Sequence, residues 1–240
     1  MSQPGEERVA LVTGGSRGIG RAVVEALAEE GWQVFFCSRH ASSVAQAVAA
    51  LSGRFGERVT GEAVDVRESA EVEAFVRQVE AWAGRIDCLV NNAGLGLFGP
   101  VDQLSATSWR EVIGTNLDGC FYFLRAVAPG MRRRGGGFIF NIGSLAARNP
   151  FAGGAAYNAS KFGLLGLSEA AMLDLRKDGV KVAAILPGSV ATEFGHPKPG
   201  ERDWMLQPVD VARTVMDLLR YPDRALPSVV ELRPTRPPKP

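Results

Sequence analysis

The sequence predicts an α/β fold: one doubly wound, seven-stranded parallel sheet flanked by helices, built as a single domain over residues 1–240. Three observations predict it. Short apolar runs alternate with stretches of helical periodicity along the whole chain. Most of these runs are continuously apolar, as strands covered on both faces should be. A glycine-rich turn, Thr13-Gly-Gly-Ser-Arg-Gly-Ile-Gly20, joins the first run to the first helical stretch.

The strands fall at residues 9–12, 33–38, 59–64, 86–91, 137–142, 180–186 and 228–232. Between the first two, Ile19, Ala22, Val23, Ala26 and Leu27 recur at helical spacing, and Gly31 ends that helix. Residues 102–131 and 157–177 read as long helices. A last helix begins near Pro208 or Val209 and runs to Leu219. Strand–helix–strand order of this kind implies right-handed crossovers. With 240 residues and 46% hydrophobic composition, the chain can bury one such core. The core spans about 7–233, and the proline-rich, basic tail at 234–240 reads as frayed.

Composition excludes several function classes. A net charge of +1 gives no field for nucleic acid or an anionic membrane. No apolar run is long enough to span a bilayer, and residues 1–8 lack the apolar core of a signal peptide. Cys37, Cys88 and Cys120 are scattered in apolar surroundings, which suits a reducing compartment, so a cytoplasmic location is expected. His40 and His196 are the two histidines, and no metal-ligand spacing exists, so neither a zinc site nor a histidine-based triad is expected.

In the turn after the first strand, glycines let the chain bend tightly and let backbone approach a pyrophosphate resting on the helix N-terminus. Gly14, Ser16, Arg17, Gly18, Ile19 and Gly20 are its candidate contacts, and the unit is Rossmann-like. The second strand ends at Ser38-Arg39, where a dinucleotide's ribose is read. An acidic residue there would accept from a free 2′-hydroxyl. Arg39, with Arg17 in the turn, suits a 2′-phosphate instead, so NADP(H) is expected over NAD(H).

Tyr157 and Lys161 stand four residues apart and share one helix face. Ser144 lies 13 residues before Tyr157, just past an apolar strand. Hydride delivery to a carbonyl leaves an alkoxide that needs a proton. An ammonium about 4 Å from a phenol, at an effective dielectric of roughly 20, favours the phenolate by about 4 kcal/mol before desolvation opposes it.

Taken in order, Thr13-Gly14…Gly18-Ile19-Gly20, Asp65, Asn91-Asn92-Ala93-Gly94, Asn116, Ser144, Tyr157-x-x-x-Lys161 and Pro187-Gly188 resemble the short-chain dehydrogenase/reductase (SDR) family from Val9 to about Leu232. The resemblance implies an acid–base role for Tyr157 and a lysine, Lys161, that also bonds the nicotinamide ribose. It implies that Ser144 donates to the substrate oxygen and that Asn116 holds a water linking Lys161 to solvent. Asp65 and the Val66 N–H would contact the adenine; a turn or N-cap carboxylate is the other reading of Asp65. Asn92, Ala93 and Gly94 would pass close to the cofactor. Pro187, Gly188, Val190 and Thr192 would meet the nicotinamide amide.

Leu95, Leu97, Phe98, Leu145, Phe151, Phe194, His196, Trp204 and Met205 are candidates to face the substrate, with Ser144 and Tyr157 at the reacting group. Residues 193–207 read as a lid. The resemblance leaves a 3-oxoacyl-thioester reductase and a 3-hydroxy acid (serine-type) dehydrogenase open, and the ending Val230-Glu-Leu-Arg-Pro234 looks more like the latter. A non-catalytic NADP(H)-binding sensor is the reading from a different class. Arg132–Arg134 would either dock an acidic carrier protein or complement a helix C-terminus. A homodimer or homotetramer through the two long helices is implied by resemblance.

Overall fold

The computed structural model describes residues 7–194 and 204–236. Among them, seven strands form one sheet: β1 (Val9–Thr13), β2 (Gln33–Ser38), β3 (Val59–Ala63), β4 (Cys88–Asn91), β5 (Gly137–Ile142), β6 (Val180–Pro187) and β7 (Val229–Leu232). Their order is β3-β2-β1-β4-β5-β6-β7, and every pairing is parallel. Parallel neighbours need crossovers, which seven helices supply: α1 (Gly18–Glu29), α2 (Ala41–Phe55), α3 (Ser69–Ala83), α4 (Ala106–Ile113), α5 (Gly119–Arg134), α6 (Ala155–Leu175) and α7 (Pro208–Leu219).

Side-chain alternation divides the core into two layers. On β1, Ala10 and Val12 face α1, α2 and α7, whereas Val9 and Leu11 face α3, α5 and α6. Phe36 and Phe140 fill the first layer, and Ile139, Phe123 and Met131 the second; all five are fully buried. Burial of a side chain of this size is worth about 1.5–3 kcal/mol, so the two layers dominate the stability of the fold.

Three local features depart from the sequence reading. The helix expected at 102–131 starts later, at Ala106, where Ser105 accepts from the Ser108 N–H as an N-cap. It is then broken by a π turn at Gly114–Asp118 before continuing as α5. The helix expected at 157–177 begins at Ala155 and closes in a short 3₁₀ turn, Arg176–Asp178, after Leu175. Finally, residues 234–236 do not fray away. Gly188 N–H bonds the Leu232 carbonyl at 2.8 Å, and a Cβ at Gly188 would lie 3.0 Å from Pro234 Cδ, so the chain beyond β7 runs along the mouth of the sheet.

Other expectations hold. Gly31 follows α1 with φ +81°, and α7 opens at Pro208 under a reciprocal cap between Gln207 and Asp210. At the end of α5, Gly135 is left-handed, Arg132 pairs with Asp178 at 2.6 Å and Arg134 donates to the Ile86 carbonyl at 2.5 Å. Two of the three arginines thus have partners on other elements, and all three stay exposed in the last turn of α5, where cations are favoured. Among the described residues no helix is long and apolar enough to cross a membrane.

Candidate active site

At the carboxyl ends of the strands lies a crevice of 1440 Å³. Its centre is the topological switch point, where β1 and β4 lie side by side and their outgoing loops part. Thr13 Oγ1 accepts from the N–H groups of Asn92 and Ala93, each at 2.9 Å, and Asn92 Nδ2 donates to the carbonyls of Thr13 and Gly14. These bonds sew the turn after β1 to the loop after β4. Ser38 braces it from β2, its hydroxyl donating to Ser16 Oγ at 2.9 Å.

The turn is shaped as a cradle. Gly14 and Gly18 have φ of +67° and +56°, and a Cβ on Gly14 would sit 2.9 Å from Asn92 Nδ2. A Cβ on Gly20 would strike the Gly14 carbonyl, so Gly20 works by packing α1 against the turn and does not itself line the crevice. Arg17, at the N-cap of α1, makes no side-chain cap, and the first turn holds no acidic residue. The first N–H groups of α1 are left for an anion. The bare cradle and uncapped helix fit the pyrophosphate of a dinucleotide.

Most of the other expected cofactor and substrate residues reach the same crevice: Ser16, Arg17, Gly18, Ile19, Ser38, Arg39, Asp65, Val66, Ala93, Gly94, Leu95, Phe98, Ser144, Leu145, Phe151, Tyr157, Lys161, Pro187, Gly188, Val190, Thr192, Phe194, Trp204 and Met205. Leu97, expected to face the substrate, does not line it. Asn116 is fully buried behind the wall. It sits in the π turn, accepts from the Leu95 N–H at 2.8 Å, and donates to the Leu95 carbonyl and to Ser160 Oγ at 2.9 and 3.0 Å. Its side chain therefore ties the loop after β4 to α6. Asp65 lines the crevice and also accepts from its own turn: the Arg67 guanidinium grips its carboxylate through Nε and Nη2 and holds it below the usual carboxylate range. His196 lies outside the described residues, as does much of the expected lid.

Tyr157 stands in the first turn of α6 and Lys161 one turn later. Lys161 is 5% exposed, and its Nζ donates to the Ile142 carbonyl at the end of β5, at 3.0 Å. Among the described residues no carboxylate pairs with it. A buried ammonium with one carbonyl partner has two N–H bonds to give, which suits hydroxyl groups of a ligand. The same nitrogen lies 5.7 Å from the centre of the Tyr157 ring. The Tyr157 hydroxyl has no protein partner among the described residues. Ser144 Oγ accepts from the Ala146 N–H at 3.1 Å, so its proton is free to be donated into the crevice.

Two groups of lining residues were missed in the sequence. His40, Ser43, Thr115 and Asn149 carry no pattern that marks them. Arg233, Thr235 and Arg236 line the wall beyond β7; the signal was there, since the carboxyl end of a strand in such a sheet opens onto the ligand crevice. The three thiols are buried, and burial pushes Cys37 up to about 12 and Cys120 up to about 11, so neither offers a nucleophile.

A parallel sheet of this order, with a glycine cradle at its switch point and a Tyr–Lys pair in the crevice, defines a dinucleotide-binding oxidoreductase. The chain belongs to the short-chain dehydrogenase/reductase family: the family model described as short chain dehydrogenase matches residues 8–203. It is 39% identical to D-threitol dehydrogenase of Mycolicibacterium smegmatis over 79% of this chain and 72% of that one. A metagenomic short-chain oxidoreductase solved in complex with NADP superimposes with TM-score 0.84 at 38% identity, covering 95% of this chain and 98% of that one. The closed form of serine dehydrogenase complexed with NADP+ does so with TM-score 0.87 at 32% identity, covering 93% and 94%.

Proposed function

We propose that the protein is an NADP(H)-dependent reductase/dehydrogenase that interconverts a ketone and a secondary alcohol, with Tyr157 as the acid–base group. The observation that carries this reading is the buried Lys161, which meets no carboxylate among the described residues, one turn from a Tyr157 hydroxyl that has no partner among them. Bound NADP(H) supplies or accepts the hydride. Gly14, Ser16, Gly18, Ile19 and the first turn of α1 hold its pyrophosphate, and Arg17 and Arg39 the 2′-phosphate. Asp65, Val66, Asn92, Ala93 and Gly94 border the adenosine half and the ring. Pro187, Gly188, Val190 and Thr192 orient the nicotinamide. Ser144 donates to the substrate oxygen, Tyr157 gives or takes the proton there, and Lys161 sets its positive charge beside the phenol ring and bonds a ribose hydroxyl. Asn116 positions Lys161's helix through Ser160.

Substrate identity has two finer readings. Serine dehydrogenase among the structural neighbours favours a 3-hydroxy acid; Arg132, Arg133 and Arg134 stay exposed at the end of α5, and a carrier-bound 3-oxoacyl thioester is the other reading. Comparing short 3-hydroxy acids with acetoacetyl-thioester separates them. Three buried thiols fit a cytoplasmic setting.

Tyr157→Phe tests the mechanism. NADPH oxidation over a ketone panel is expected to fall by about 10²–10⁴-fold, with NADPH still bound. A variant that kept the wild-type rate would sink the acid–base assignment, and tight NADP(H) binding without turnover on any carbonyl would point to a sensor.

A further inference from the structure

We infer that the substrate end of the crevice is a preformed aromatic clamp, and that the ketone it takes carries an arene beside its carbonyl. This rests on the reading that Tyr157 protonates that carbonyl. Three phenylalanine rings surround the Tyr157 ring: Phe194 at 5.6 Å, Phe98 at 5.7 Å and Phe151 at 6.2 Å between centroids. They also meet one another, Phe98 lying 5.8 Å from Phe151 and 6.4 Å from Phe194. The contacts are edge-on or tilted, with interplanar angles of 46–79°. Yet the three residues remain 48%, 46% and 42% exposed in the order Phe98, Phe151, Phe194. Rings this large, half in water at the mouth of a crevice, present unoccupied faces and edges to whatever enters.

Their placement is built into the backbone. Gly99 N–H donates to the Gly153 carbonyl at 2.8 Å, joining the loop that carries Phe98 to the loop that carries Phe151. Asn158 Nδ2 donates to the Phe151 carbonyl at 2.9 Å, and the Phe194 N–H donates to Thr192 Oγ1 at 3.2 Å. Glycines make room for the rings. A Cβ on Gly96 would collide with the Phe98 ring and lie 2.9 Å from Phe194 Cζ; one on Gly154 would lie 2.7 Å from Phe151 Cε2. An arene gains edge-to-face contact there that a saturated ring of the same size does not.

The test compares acetophenone with 1-cyclohexylethanone. KM is measured with NADPH, and the dissociation constant of each ketone is measured calorimetrically on the enzyme–NADP+ complex, where no hydride can move. The arene is expected to win by about tenfold in both. Phe98→Leu, and independently Phe151→Leu, should bring that ratio close to one, while circular dichroism confirms that each variant is folded. A wild-type ratio near one, a ratio untouched by both variants, or no binding of either ketone overturns the clamp. Preferential arene binding with no turnover of either ketone supports the clamp and overturns the redox reading on which its substrate assignment rests.

Discussion

Arg17 and Arg39 face the same crevice under different constraints. Arg17 pairs with Glu193 at 2.5 Å, but its side chain is 75% exposed and that of Glu193 65%. An ion pair so open to water contributes about 0–1 kcal/mol. A charge-assisted bond from arginine to phosphate is worth about 1.5–3 kcal/mol. The phosphate therefore wins the competition, and Glu193 does not bar Arg17 from the cofactor. Arg39 gives its Nε to His40 at 3.3 Å and keeps both terminal amino groups for a ligand. Replacing Arg39 with Asp removes this charge and adds a carboxylate that accepts from a free 2′-hydroxyl and repels a phosphate. The ratio of kcat/KM for NADPH over NADH is expected to fall by roughly ten- to a hundredfold. An unchanged ratio would remove Arg39 from cofactor selection.

At the scale of elements, α6 decides the site, because it carries both Tyr157 and Lys161. A chain of buried polar groups holds it to the sheet. Asn91 at the end of β4 donates to Asn141 on β5 at 2.8 Å; Asn141 donates to Ser168 on α6 at 2.9 Å; Ser168 donates to the Leu164 carbonyl. Asn91 and Asn141 are register partners, so the chain runs straight across two strands. Ser168→Ala would strand the Asn141 amide in an apolar layer. Urea unfolding should show a loss of about 1–3 kcal/mol, and a loss below about 0.5 kcal/mol would mean the amide finds another partner. This network also shows what was legible in the sequence. Strand positions came through because continuous apolar runs are local. The glycine turn and the Tyr–Lys pair came through because their chemistry dictates their spacing. The π turn did not, since it depends on Asn116 meeting Leu95 and Ser160, partners 21 and 44 residues away. Nor did the inward position of Ser168: a buried serine on a helix is paid for by a partner on another strand, and the periodicity of α6 alone does not reveal it.

For the molecule as a whole, the remaining question is what covers α5 and α6. The sheet faces are closed by two core layers, yet Phe121 on α5 and Phe162 and Leu173 on α6 are 45%, 46% and 54% exposed. Gly163 lets α6 press against the π turn, where a Cβ would lie 2.9 Å from Leu117 Cδ2, so these helices form one surface. Large apolar side chains repeated along adjacent helices are costly in water and favour a second copy of the chain across a two-fold axis, where each residue meets an equivalent patch. The resemblance to the family points to the same helices. Sedimentation equilibrium is therefore expected to give a dimer or tetramer of the 25.6 kDa chain. The double variant Phe162→Asp/Leu173→Asp should dissociate it by placing four carboxylates in each two-fold contact without touching either core layer. If the wild type sediments as a monomer, the exposed helices are not a subunit interface. If it is oligomeric and the charged variant remains so with unchanged affinity, the contact lies elsewhere on the surface.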